Sequence, residues 1–334
     1  MDDPNVIQTV SWYSRFAEIE APGQSAIFEE WARGVAGDDE LLALLAELPR
    51  PKRQPNLLFA CARLLGCPLD PYAQWREWVL ANWSEVSAQM LVRSTQTNEP
   101  RRCAVLLPVL AQIEGPIALL EVGASAGLCL YPDRYSYTYL ADAADGERDR
   151  EQRLDPVDGP STVVLPCDTT GNPPIPTRMP EIVWRAGIDL NPLDLHAPDD
   201  LTWLETLVWP EQHERRARTR AAIDIVKADP PRIVRGDAVD SLLDVAAGAP
   251  ADAHLVVVSS AAIVYLMPEP RARFIELVKS LDATWVSNEG AGVVPEAAAL
   301  VGDRTPPIPG ELLLACDGIP LAFTGPHGQR LDWF

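Results

Sequence analysis

Ile117-Ala118-Leu119-Leu120-Glu121-Val122-Gly123-Ala124-Ser125-Ala126-Gly127 is the stretch on which the fold reading turns. Its first six residues form an apolar run with one acid, the pattern of a parallel strand buried on both faces. The five that follow are all small, so the backbone of this turn allows close approach by a ligand. The turn is expected to lead into a helix, whose first N–H groups lack partners within the helix. Glu121, at the strand's end and facing the turn, is placed to hold a cationic group. The spacing is not the dinucleotide fingerprint G-x-G-x-x-G, whose third glycine falls elsewhere.

Downstream, strand signals return at residues 185–190, 232–235, 254–259 and 284–287, with helical segments at 201–228, 239–246 and 271–281 between them. Strands alternating with helices argue for a parallel sheet with right-handed crossovers. Residues 311–316 and 321–324 flank Asp317-Gly318-Ile319-Pro320 and read as an antiparallel hairpin. Between 131 and 184 periodicity is poor, which reads as an insertion with short strands at 135–139 and 162–165; the acidic stretch 141–153 is its most exposed part. Upstream the pattern is helical, with helices expected at 39–48, 56–65, 72–92 and, kinked by Pro108, at 101–113. The chain thus divides into a helical region over residues 1–112 and an α/β region over 113–334 that carries the insertion at about 131–184. The expected sheet is mostly parallel and finished by an antiparallel hairpin.

Composition narrows the function classes. The 334 residues hold 48 Asp and Glu against 28 Lys and Arg, a formal charge of −20, with 47% apolar and 23% charged residues. These are globular proportions. The charge repels nucleic acid and anionic membrane surfaces, so neither is an expected partner. No apolar run approaches the roughly 20 residues that span a bilayer. The acidic start Met1-Asp2-Asp3-Pro4 lacks the parts of a signal peptide, and the six cysteines form no CxxC pair. A cytoplasmic protein with reduced thiols and no metal site is expected.

Glu121, Gly123 and Gly127 resemble the first motif of the class I S-adenosylmethionine-dependent methyltransferases: an acid, any residue, then glycines at alternate positions, with Ser125 replacing the middle glycine. The resemblance implies a Rossmann-like sheet and S-adenosylmethionine as cofactor. It implies that Glu121, Gly123, Ala124, Ser125 and Gly127 surround the cofactor, and that Asp189, beside Leu190, takes the ribose hydroxyls. It further implies that Asp237 and the Ala238 N–H meet the adenine, that Ser259, at the end of the fourth strand, binds the cofactor, and that 261–277 is the helix beyond it. Over nearly its whole length the chain also resembles a bacterial family, domain of unknown function 2332. The segments that carry this are Thr97-Asn98-Glu99-Pro100, the Glu121–Gly127 turn, Asp133-Arg134-Tyr135, Gly187-Ile188-Asp189-Leu190-Asn191-Pro192, Trp209-Pro210-Glu211-Gln212 and Ser287-Asn288-Glu289-Gly290.

The function implied is methylation of a small-molecule acceptor. Ser259-Ser260-Ala261-Ala262 offers no Asn-Pro-Pro-aromatic signature, which disfavours methylation of nucleic-acid base amines. Candidates on the acceptor side are Glu289, His327 and Tyr135, with Asn98, Glu99, Arg134 and Tyr137 as pocket-closing residues and the insertion as part of the wall. Two alternatives stand beside this reading. One is a methyltransferase-like protein that binds a ligand or partner without chemistry. The other is a serine hydrolase, since Gly123–Gly127 fits G-x-S-x-G with Ser125 as nucleophile and His327 as base. The basic run 211–220 reads as a solvated helix face, with a local anion site as its alternative.

Overall fold

The computed structural model describes residues 3–141 and 150–334. The acidic stretch expected at 141–153 lies largely outside the described residues. The chain forms two compact units, residues 1–97 with 196–217, and residues 98–195 with 218–334.

The first unit is helical. An aromatic cluster fills it: Trp31 stacks on Trp75 with ring centroids 4.8 Å apart, and Phe28, Phe59 and Trp209 pack edge-on or tilted around them. Ser25 caps the helix Ala26–Ala36, its hydroxyl accepting from the Phe28 N–H. Glu211 joins that cap by accepting from Ser25 Oγ at 2.7 Å and the Ile27 N–H at 3.0 Å. This tie explains why 196–217 belongs to the unit despite its distance in sequence. The helices expected at 72–92 and 201–228 are each two. Asn82 separates Tyr72–Ala81 from Trp83–Val92, and Pro210 falls between Pro198–Leu207 and His213–Ala228. Arg215, in the basic run, donates to the Thr97 carbonyl and so does not face solvent freely.

The second unit is α/β, built on one mixed, mostly parallel sheet with eleven strands among the described residues. In chain order these are β1 (Ile117–Val122), β2 (Ser136–Ala141), β3 (Arg150–Leu154), β4 (Val164–Thr170), β5 (Ile182–Asp189), β6 (Arg232–Arg235), β7 (His254–Ser260), β8 (Ala283–Gly290), β9 (Leu312–Cys316), β10 (Ile319–Thr324) and β11 (Arg330–Trp333). Their spatial order is β3-β2-β4-β11-β10-β9-β8-β7-β1-β5-β6. The segment β6-β5-β1-β7-β8 is parallel, with β1 at the point where the chain's direction of winding reverses. The hairpin β9–β10 turns at Asp317 and Gly318, both at positive φ, as a two-residue hairpin loop requires. The insertion extends the sheet: among the described residues it adds β2, β3 and β4, with β4 pairing in parallel with both β2 and β11.

One face of the sheet, from the parallel strands to β9 and β10, is covered by Ala238–Ala246, Pro268–Lys279 and Pro295–Val301, with Leu120, Ile188, Val257, Phe274, Trp285 and Leu313 in its core. On the sheet's other side lies the helix Cys103–Leu110. All eight of its residues are buried, so it packs on every side, as an all-apolar helix must. It contacts β4 and β8. Pro108 sits inside it and has no N–H to bond the Ala104 carbonyl one turn back. Tyr139 supplies the missing donor: its hydroxyl bonds Ala104 O at 2.8 Å in a buried setting. Tyr135 and Tyr137, on the same face, bond the Leu128 and Pro132 carbonyls at 2.6 and 2.5 Å. The three phenols are core braces, and Tyr135, expected at the acceptor pocket, is fully buried among them.

Tyr139→Phe strips the donor from a buried carbonyl and is expected to cost about 1–3 kcal/mol. In a Pro108→Ala background the restored N–H refills that carbonyl. A double-mutant cycle by urea denaturation should therefore show the Tyr139→Phe cost shrinking by more than half.

Candidate functional site

The site is built at the carboxyl end of β1. Glu121 is in register with Gly187 of β5 and Val258 of β7. The turn after it alternates left-handed residues: Gly123 at φ +76°, Ser125 at +50° and Gly127 at +75°. Two of the three are glycine, and Ser125 holds a conformation that costs a non-glycine residue of order 1 kcal/mol. Close packing also demands small residues here. A Cβ on Gly123 would lie 2.6 Å from Ala262 Cβ, and one on Gly187 would lie 2.4 Å from Ala124 Cβ.

Every N–H of the turn has a partner. Those of Gly123 and Ala124 donate to the Ile188 carbonyl at 2.8 and 3.2 Å, and that of Gly127 to Ala124 O at 2.7 Å. The Ser125 N–H donates to Asp189 Oδ2 at 2.8 Å, and the Ala126 N–H to Asn98 Oδ1 at 2.9 Å. Asn98 grips the turn twice, since its Nδ2 donates to Ser125 Oγ at 2.6 Å. It does so from a positive φ of 38°, which asparagine tolerates better than most residues. Asp189 Oδ1 accepts from the Asn191 N–H at 2.7 Å.

No helix follows the turn. Leu128–Leu130 is a single 3-10 turn that Pro132 soon ends. The carbonyls that a helix would bond internally are taken by side chains: Leu128 O by Tyr135, Cys129 O by Cys103, Leu130 O by Arg185 and Pro132 O by Tyr137. The dipole-end N–H groups expected from the sequence are therefore absent.

Of the sequence-derived residues, Glu121, Gly123, Ala124, Ser125, Gly127 and Asp189 are brought together. Asp237 is one step away, through the Gly236 N–H donated to the Asp189 carbonyl at 3.0 Å. Asp237 itself caps the helix that Ala238 begins, accepting from the Val239 N–H at 2.8 Å. Leu190 projects outward, 61% exposed. Ser259 does not join them. Strand alternation puts it on the helix-covered face, where its hydroxyl accepts from Trp285 Nε1. The helix expected at 261–277 starts only at Pro268, after a 3-10 turn at Ile263–Tyr265. His327 lies in the Gly325–Gly328 turn, its carbonyl accepting from Arg101 Nε. The partner of Ser125 Oγ is an amide, which takes no proton and gives the serine no base. Glu99 pairs with Arg218 at 3.0 Å, both side chains nearly inaccessible.

Two carboxylates at the sheet edge are the distinctive groups. Glu121 is 7% exposed, and its Oε2 is buried with no hydrogen-bond partner. Burial pushes its carboxyl well up from the ordinary range; the neighbouring Cys129 and Asp189 add to this and Arg102 opposes it. Glu289, 1% exposed in β8, accepts from the Ala262 and Ile263 N–H groups at 3.0 and 3.2 Å through Oε1, while its Oε2 is likewise unpartnered. Burial raises it too, against the pull of those N–H groups and Arg102. Glu289 thus shapes the loop after β7. Arg102 is the residue that sequence reasoning missed. It is 9% exposed and is anchored to the Ser260 and Pro326 carbonyls at 2.8 and 3.0 Å. Its signal was the pair Arg101-Arg102 directly before an all-apolar helix in an acidic chain. An open groove of about 330 Å³ lined by Tyr131, Arg134, Asp158, Ser161 and Asp229 holds none of these carboxylates. Among the described residues no group of three or more His, Cys, Asp or Glu could hold a metal ion, and no helix is long and apolar enough to cross a membrane.

Glu121 keeps its proton to a higher pH when folded than when unfolded. The folded state therefore binds more protons above the ordinary carboxyl value of 4.5, and stability falls as pH rises from there toward the raised folded value. Glu121→Gln is expected to melt higher than the wild type at about pH 8, with the difference vanishing as pH falls toward 4.5. Thermal melts across that range check it.

The family described as "Uncharacterized protein conserved in bacteria (DUF2332)" has a model that matches residues 10–333. No curated protein matches the chain. With a full-length match that takes in the turn, the Asp189 clamp and the Glu289 strand, the chain belongs to the DUF2332 family.

Proposed function

We propose that the chain binds S-adenosylmethionine at the carboxyl edge beside β1 and directs methyl transfer to a small-molecule acceptor. The observation that carries this is the unpartnered, buried Oε2 of Glu121 at the winding reversal of the sheet. Ligands of open α/β sheets bind at that place, outside the carboxyl ends of the strands. The order β6-β5-β1-β7-β8, followed by antiparallel β9, supports a Rossmann-like methyltransferase sheet as the frame.

The residues present fit the group in part. A buried carboxylate oxygen without a donor suits the cationic end of such a ligand, because an N–H donor there satisfies an atom that is otherwise desolvated. Asp189 stands at the strand end suited to a ribose diol while also holding the Ser125 N–H. When bound, the cofactor supplies an electrophilic methyl group. The protein's part is alignment and exclusion of water. Glu121 orients the cationic end. Asp189 and Asn98 fix the turn. Glu289 holds the Ala262–Ile263 loop at the neighbouring strand end, where an acceptor would approach.

A second reading, binding without turnover, is favoured by the complete pairing of the turn's N–H groups, which leaves no backbone donor for a ligand anion unless Asn98 withdraws.

Isothermal titration with S-adenosylmethionine and S-adenosylhomocysteine is expected to give saturable binding, at least about tenfold weaker in Glu121→Gln, the loss of one charged hydrogen bond. No heat and no thermal stabilisation at millimolar ligand would sink the proposal. Binding without methyl transfer across a broad acceptor panel would favour the second reading.

A further inference from the structure

All six cysteines are free, and burial raises the thiols of five of them. Burial pushes the thiols of Cys61, Cys67 and Cys167 up to about 12 and that of Cys316 up to about 11. Cys103, fully buried, is raised well above the ordinary thiol value. Cys129 alone goes the other way. A hydrogen bond from the Cys103 thiol lowers it first, and Arg102 helps, against burial and the charge of Glu99.

The geometry has the same sense. Cys103 opens the enclosed helix, and its Sγ lies 3.4 Å from the carbonyl oxygen of Cys129. Cys129 sits in the 3-10 turn two residues beyond Gly127, partly exposed, with its Sγ 3.3 Å from the Glu99 carbonyl. The two cysteines thus adjoin at the start of the enclosed helix, Cys103 fully buried and Cys129 half-buried, with the Cys103 thiol on the Cys129 backbone. That arrangement suits attack on a peroxide followed by closure.

We propose that Cys129 and Cys103 are a peroxide-reactive pair that closes to a disulfide beside Glu121. In the first step the Cys129 sulfur, as thiolate, attacks one oxygen of hydrogen peroxide. An S–O bond forms, the O–O bond breaks, and the departing hydroxide takes a proton to leave as water. In the second step the Cys103 sulfur displaces the sulfenic oxygen of Cys129 and gives up its own proton, and a second water leaves. Two thiols and one peroxide become one disulfide and two waters; the sulfurs lose two electrons and the peroxide gains them. The bond ties the 3-10 turn to the start of the enclosed helix and removes a thiolate whose charge acts on Glu121. Its effect on ligand binding rests on the function proposed above; the pair itself does not.

The test treats the full chain with a small excess of hydrogen peroxide, alkylates the remaining thiols and maps the peptides by mass spectrometry. The expected product is a Cys103–Cys129 linked peptide that dithiothreitol reverses. In Cys103→Ser, dimedone should label Cys129, because the sulfenic acid has no partner. Before oxidation, Cys129 should alkylate at least about tenfold faster than Cys316. Equal alkylation of Cys129 and Cys316, or oxidation of Cys129 in the wild type with no linked peptide, would overturn the proposal. The wild-type peptide map decides even if the variant fails to fold. Titration of the oxidised and reduced chain with S-adenosylhomocysteine is a separate readout. Absence of binding in both forms counts against the proposed function and not against the pair.

Discussion

The helix Cys103–Leu110 has no polar side, and the sheet unit has to enclose it. That requirement organises the candidate site. Enclosure fixes the helix start, and the start fixes what precedes it: Asn98 on the turn, Arg102 at the sheet edge, Cys103 against Cys129. Enclosure also leaves the carbonyl opposite Pro108 without water or an N–H, so the Tyr139 phenol is the donor that makes the proline admissible.

The turn is tight in the same accounting sense. Left-handed residues at 123, 125 and 127 aim successive N–H groups in different directions, and each has found an acceptor inside the unit. Two of those acceptors are side chains, and side chains can move. Asp189 and Asn98 are therefore the adjustable members of an otherwise backbone-bonded turn. Glu121 contrasts with them. Its free oxygen has no donor, and Arg102 offsets its charge without a direct hydrogen bond.

Much of this was legible in the residues. The run 117–122 declared a doubly buried strand, and the alternation after 185 declared the parallel sheet. Asp317-Gly318 declared the hairpin, because few dipeptides accept two positive φ values. The failures have local causes. The expected helix after Gly127 lost to side-chain donors, Tyr135 and Tyr137 a few residues downstream and Arg185 on a distant strand, which hydrophobic periodicity does not encode. Ser259 was placed by strand order without regard to alternation, and alternation put it against Trp285. Tyr135 and Tyr137 looked like polar pocket residues because a phenol's role depends on which carbonyl it meets. Asp237, which the family motif places at the adenine, caps the helix that Ala238 begins through one oxygen.

The pairing of β4 with β11 joins Asp168–Thr170 to Arg330–Asp332. Some 160 residues of chain must be synthesised between those two partners. Until the later segment has left the ribosome, β4 has one bare edge, and a bare edge is a template for other chains. Assembly of this unit is thus a late event during translation, governed by long-range closure. A nascent chain stalled short of residue 330 would be a client for chaperones that shield strand edges.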